Sequence, residues 1–169
     1  MKHLGSLFIL IALVSIGCSD DTGSALEEFT GNELVYDLFQ SSDFPISGSV
    51  TFQERIDGDV QVTVELEGTE GAIQHPVHLH FGDLSVPDAE IAFLLNDLKG
   101  SDGVSTTTVS KLSDESNFSF DTIGEFNGSI KVHLSATGAD QDIILAAGNI
   151  GANQNVISGR RKVAICSSY

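Results

Sequence analysis

Three imidazoles on two strand-like runs have the types and spacing to hold a metal ion together. His78 and His80 lie in Gln74-His75-Pro76-Val77-His78-Leu79-His80-Phe81-Gly82-Asp83, and His133 lies in Ser129-Ile130-Lys131-Val132-His133-Leu134-Ser135. Alternate residues of a β-strand point to one face, so His78 and His80 project together and Leu79 projects the opposite way. If the second run is a neighbouring strand, His133 supplies the third imidazole. Three nitrogens without a close carboxylate suit copper first and zinc second, because the affinity order of the divalent metals peaks at Cu(II). His75 falls on the other parity, with Pro76 bending the chain in between. It reads as a supporting histidine whose ring N–H fixes backbone or ligand geometry. The bland alternative carries no metal: all four are then hydrogen-bonded packing residues. The remaining histidine, His3, belongs to the leader.

The segments that must position these side chains read as strands. Residues 60–66 alternate with period two, so Val60, Val62, Val64 and Leu66 face a core while Gln61, Thr63 and Glu65 face water. Asp57-Gly58, between this run and residues 50–55, is a hairpin signal, because glycine accepts positive φ without steric conflict. Further strands are expected at 34–39, 77–81, 91–95, 104–112, 129–134 and 143–147. Residues 89–98 also fit a short helix, but Ile91, Phe93 and Leu95 alternate, which favours a strand. Residues 162–166 could add an edge strand. Short strands punctuated by Gly- and Asp-rich turns predict an all-β fold, an antiparallel sandwich or barrel. Residues 33–169 form one domain in this reading, long enough for a sizeable core.

The N-terminus points to the cell envelope. Met1-Lys2-His3 is a basic start, and Leu7 to Ile16 is an apolar stretch of signal-peptide length. A spanning helix would need roughly 20 residues. Ser15-Ile16-Gly17-Cys18 resembles a bacterial lipobox, with Ser15 where Leu or Val is usual. Residues 1–17 are then a lipoprotein signal peptide, Cys18 is lipidated, and residues 18–32 are an acidic tether. An ordinary cleaved signal peptide is the alternative. Ser19-Asp20-Asp21 resembles the surface-export signal of some Gram-negative lipoproteins and equally suits a solvated tether. The expected location is the bacterial outer membrane, on its exposed surface if that signal operates.

Charge narrows the partners. The formal net charge is −16 with only 8 Lys and Arg, and loss of the leader removes Lys2 and leaves −17. Nucleic acid is excluded as a partner, because phosphate binding needs a basic surface. Docking on anionic lipid is excluded for the same reason, so a lipid on Cys18 would hold the protein at the membrane. No protein partner is identified. With Cys18 lipidated, Cys166 is a lone thiol, read as inert.

Several of these motifs together resemble the copper/zinc superoxide dismutase family. They are Gly48-Ser49-Val50-Thr51-Phe52, the Asp57-Gly58 turn, residues 60–66, and His75-Pro76-Val77-His78-Leu79-His80. Leu145-Ala146-Ala147-Gly148-Asn149-Ile150-Gly151 resembles that family's closing strand. The chain also resembles the CHRD (chordin-type) domain. His78-Leu79-His80-Phe81-Gly82 fits that module's His-x-His-x-Gly spacing better, and Glu90 to Leu95 stands where it carries an apolar strand. Val132-His133 and Gly148-Asn149-Ile150 resemble its later segments. The resemblance spans roughly residues 46 to 154, and both families imply an antiparallel Greek-key-like β-sandwich.

Carried over residue by residue, the resemblance implies that His78, His80 and His133 are copper ligands and that His75 is a framework histidine. The departures are substantial. No histidine lies between His80 and His133, so the dismutase bridging ligand and zinc histidines have no counterpart. Ala147 stands at the disulfide cysteine. Fourteen residues separate His133 from Gly148, too few for the substrate-guiding loop. No arginine matches the active-site position, and the cluster Arg160, Arg161 and Lys162 lies beyond the resemblance. The leading expectation is therefore a non-catalytic envelope module holding one copper ion, with no catalytic residue assigned. A metal-free structural or partner-binding module is the alternative, and a copper-only superoxide dismutase is the second. A dismutase needs an open metal position and a path for the anion, and a charge of −17 opposes the approach of superoxide.

Overall fold

A computed structural model describes residues 28–86 and 88–154. Eight strands and one helical turn follow one another: β1 (Phe29–Gln40), β2 (Ser47–Arg55), β3 (Val60–Glu67), β4 (Gln74–Phe81), β5 (Ile91–Lys99), β6 (Val104–Val109), α1 (Phe120–Ile123), β7 (Asn127–His133) and β8 (Ile144–Gly151). The expected all-β, antiparallel architecture is present, and the strands close into a barrel in the order β1-β2-β3-β6-β5-β4-β7-β8.

Local sequence explains the elements. In β3 the alternation is obeyed: Val60, Val62, Val64 and Leu66 are buried, while Glu65 is exposed. Gly58 in the β2–β3 turn has φ of 92°, and the Arg55 N–H donates to the Asp59 carbonyl at 3.0 Å to close the hairpin. Residues 91–99 are strand rather than helix. β1 begins at Phe29, ahead of the expected start and within the segment read as tether. β8 runs on to Gly151, and all of its residues are buried. That burial on both faces removes the alternation that marks strand ends in a sequence. Gly148 is required in β8, because a Cβ there would run into the Asp37 carbonyl of β1. The helical turn α1 was not anticipated.

Closure is thin at two seams. β1 meets β8 only through Phe39↔Ala147 and Gln40↔Ala146, and β5 meets β6 through Lys99↔Val104. At the second seam side chains take over. The Asn96 N–H donates to Thr107 Oγ1 at 2.8 Å, and Asn96 Nδ2 donates to the Thr106 carbonyl at 2.7 Å. The interior is a single apolar cluster containing Val50, Phe52, Val62, Val77, Leu79, Ile130 and Val132. Each such side chain contributes about 1.5–3 kcal/mol by leaving water.

Segments 1–27 and 155–169 lie outside the described residues. With them lie the expectations for the signal peptide, Cys18, most of the tether, the edge strand at 162–166, the Arg160-Arg161-Lys162 cluster and Cys166.

Candidate metal centre

β4 is an interior strand, flanked by β5 and β7. Val77 and Leu79 are fully buried in the barrel core, which turns His78 and His80 to its outer face. On β7 the same alternation sends Ile130 and Val132 inward and Ser129, Lys131 and His133 outward. The register places His78 opposite Lys131 and His80 opposite Ser129. A bulge lies between Val132 and His133, where β8 skips Leu145. Such bulges re-aim a side chain relative to the regular ladder.

The outer face is covered here. Leu84, from the β4–β5 connection, packs with Ile144 and Ala147 of β8, and its N–H donates to Asn149 Oδ1 at 2.8 Å. His80 and His133 are 1% and 4% exposed although neither belongs to the barrel core, whereas His78 is half-buried.

The three expected ligands come together. One nitrogen from each of His78, His80 and His133 lies within 4.8 Å of the others. The His78 ring centroid is 4.7 Å from that of His133 and 5.7 Å from that of His80. Nitrogens bound at roughly 2.0–2.1 Å in tetrahedral or trigonal arrangement stand about 3.3–3.6 Å apart, so a small contraction completes a metal shell. The cluster can hold a metal ion.

Two backbone carbonyls fix which nitrogen is offered. The Nδ1–H of His80 donates to the Ala89 carbonyl at 2.7 Å, and the Nδ1–H of His133 donates to the Gln141 carbonyl at 2.9 Å. A carbonyl only accepts, so the proton sits on Nδ1 and each Nε2 carries a lone pair. Both Nε2 atoms are buried and have no hydrogen-bond partner. A buried polar atom left unpaired costs about 1–3 kcal/mol. Among the described residues, the other such side-chain atom is Ser42 Oγ, in the β1–β2 connection.

Protonation is disfavoured throughout the cluster. Burial, then the neighbouring His133 and His80 rings and Lys131, pushes His78 down to about 4. Burial and the Lys131 cation bring His80 down to about 4, against the pull of the Ala89 carbonyl. His133 is lowered by burial and Lys131, opposed by the Gln141 carbonyl and Asp142. All three rings are therefore neutral at pH 7, which is the form that ligates a metal.

His75 stands outside the cluster. It is 4% exposed, and its Nδ1–H donates to the Leu134 carbonyl at 3.0 Å. Leu134 follows His133 directly, and its own N–H donates to the Ile143 carbonyl at 2.8 Å. His75 thus pins the chain just beyond the third ligand.

Sequence reasoning overlooked one residue of this face. Lys131 is 0% exposed, opposite His78 and two residues before His133. Its parity with His133 was the available signal. The accepting carbonyls of Ala89 and Gln141 come from connections, where no side-chain pattern announces a role.

No protein-family model matches this chain, and no curated protein matches its sequence.

Proposed function

We propose that this protein is a non-catalytic module of the bacterial cell envelope that binds one copper ion through His78, His80 and His133. Its anchor is a lipid on Cys18 in the outer membrane, and its relationship is to CHRD and superoxide dismutase-like domains. One observation carries the metal reading: the Nε2 atoms of His80 and His133, buried and without partners, stand beside His78. A metal-free packing role leaves both lone pairs unsatisfied, and a metal ion satisfies them together. Copper is preferred to zinc because the donors are all imidazole and no carboxylate joins them.

The fold reading is a flattened barrel with Greek-key-like connections. Its support is the pairing of β3 with β6 and of β4 with β7, each reached by a crossing connection. The two thin seams divide the strands into the faces β1-β2-β3-β6 and β5-β4-β7-β8, as a sandwich would have them.

A non-catalytic role fits the charge and the enclosure. Superoxide would approach a chain whose formal net charge is −16 in full and −17 once Lys2 leaves with the leader, and two of the three ligands are shut away from solvent.

Calorimetric titration of the leaderless chain with copper and with zinc, paired with melting curves, tests the proposal. One ion per chain and a raised melting temperature are expected, both lost in the His80→Ala, His133→Ala double variant. Absence of binding, or binding that survives the double substitution, removes the metal reading. Superoxide consumption by the copper-loaded protein should not exceed that of free copper, and faster turnover would contradict the non-catalytic part.

A further inference from the structure

We propose that Val163 and Ile165, carried behind the cationic run Arg160-Arg161-Lys162, cover an open apolar groove on the barrel wall between β5 and the chain that follows β6. The protein then closes its weaker seam with a segment of its own that lies beyond β8. The inference is independent of the metal reading.

The groove exists because β5 and β6 part company. They pair only at Lys99↔Val104, and side chains extend the contact as far as Asn96 and Thr107. Further along, the Ser113 N–H donates to the Ala92 carbonyl at 2.8 Å, and Ser113 Oγ donates to the Ile91 carbonyl at 2.8 Å. Where the ladder is missing, a cavity of about 440 Å³ is lined by residues 91–94 on one side and 111–113 on the other. Phe93, Leu94 and Leu112 make that lining apolar, and Leu94 is 64% exposed, so the groove opens to solvent. Apolar side chains that covered it would leave water themselves and remove this surface from water.

Reach, patterning and charge all point to the segment after β8. Asn153 Nδ2 donates to Asp83 Oδ2 at 3.1 Å and to Asn127 Oδ1 at 2.8 Å, which holds the chain beyond β8 beside the end of β4. At that same end the Phe81 N–H donates to the Glu90 carbonyl at 2.9 Å, one residue before the groove begins at Ile91. Strands lie about 4.8 Å apart, so passing from β7 across β4 and β5 takes about 15 Å. The eight residues 155–162 span at most about 26–29 Å, which is enough. In an extended Val163-Ala164-Ile165, the two β-branched side chains point the same way and can enter the groove together. Glu90, Asp114 and Glu115 are exposed around it, and among the described residues only Glu115 has a cationic partner, Lys111 at 3.9 Å. Arg160, Arg161 and Lys162 are three of the chain's 8 Lys and Arg. Placed beside these carboxylates, they favour this docking over others, because opposite charges fix register more than they add stability.

Amide hydrogen exchange of the leaderless chain tests the proposal. Residues 91–94 and 111–113 should exchange about tenfold or more slowly in it than in the Val163→Asp, Ile165→Asp double variant, with exchange elsewhere in the barrel unchanged. The protection should not vary with protein concentration, because the occupant belongs to the same chain. Equal exchange in the two folded chains overturns the proposal. So does protection that grows with concentration, which assigns the groove to a second copy. If the double variant does not fold, the triple variant Arg160→Ser, Arg161→Ser, Lys162→Ser takes its place. It should exchange faster at the same residues, and unchanged exchange there overturns the proposal. Copper titration is a separate measurement, so failure of either reading leaves the other standing.

Discussion

His80 and His133 turn the same nitrogen toward the same space. Each gives its Nδ1 proton to a backbone carbonyl, Ala89 for one and Gln141 for the other, and each leaves Nε2 buried without a partner. Two independent connections thus impose one tautomer on two ligands from different strands. Ring N–H groups held this way orient metal-binding histidines and raise their basicity toward the metal.

Metal binding should appear as thermal stabilisation. An ion that binds only the folded state adds about 2.7 kcal/mol at a concentration of 100 Kd, which raises the melting temperature by roughly 10 °C in a domain of this size. The His80→Ala, His133→Ala chain should show no rise under the same conditions. Differential scanning calorimetry with and without copper makes the comparison.

Apo-protein stability should fall on the acid side of neutrality. The folded-state pKa values of His78 and His80 are depressed from 6.5 to about 4, so below 6.5 the unfolded chain takes up protons that the folded chain refuses. The stability they contribute is fully present above 6.5, declines as pH falls toward about 4, and is gone below it. The slope reaches about 1.4 kcal/mol per pH unit for each histidine. Urea unfolding from pH 8 to pH 4 should be shallower in His80→Gln than in the unsubstituted chain. Parallel profiles would show that these rings are not neutralised by burial.

The metal affinity itself should be insensitive to pH over an unusual range. Protons compete with a metal only below the ligand pKa. Copper affinity should therefore hold to lower pH than at an exposed site, declining only as the depressed ligand pKa values are reached, about 4 for His78 and His80 and below 6.5 for His133. An ordinary exposed histidine site would already weaken near 6.5. Competition titrations at fixed ionic strength distinguish the two.

His75 should matter through Leu134. Replacing it with Phe removes the part-buried hydrogen bond to the Leu134 carbonyl, which destabilises the fold by about 1 kcal/mol. It also frees the chain beside His133, and loss of such supporting contacts typically weakens metal binding about 10–100-fold. Melting curves and copper titration of His75→Phe should show both effects, whereas loss of stability with unchanged affinity would assign His75 to the fold alone.

Barrel closure depends on the absence of a side chain at Gly148. A Cβ there meets the Asp37 carbonyl of β1, close to the short β1–β8 seam. Gly148→Ala should lower stability by about 1–3 kcal/mol through overpacking, seen as a lower urea midpoint.

Much of this arrangement was legible from local sequence pattern. Parity alone puts His78 and His80 on one face and Leu79 on the other, and the structure agrees. The alternation of β3 and the Asp57-Gly58 turn also carried through. Pairing was not legible, because β4 neighbours β7 across a connection of more than forty residues and nothing local encodes that choice. The proximity of His133 to His78 and His80 depends on that pairing and on the bulge at Val132 and His133. β8 was cut short in the sequence because burial on both faces erases the alternation that would mark its end. Lys131 was readable by parity with His133, but a lysine in a strand is ordinarily placed in solvent.

The most direct test of the central claim is X-ray absorption on the one-to-one copper complex of the leaderless chain. The account predicts three imidazole nitrogens at about 2.0 Å, reduced in number when His78, His80 or His133 is replaced. Failure to form a stoichiometric complex, or a copper shell indifferent to those three substitutions, would contradict it.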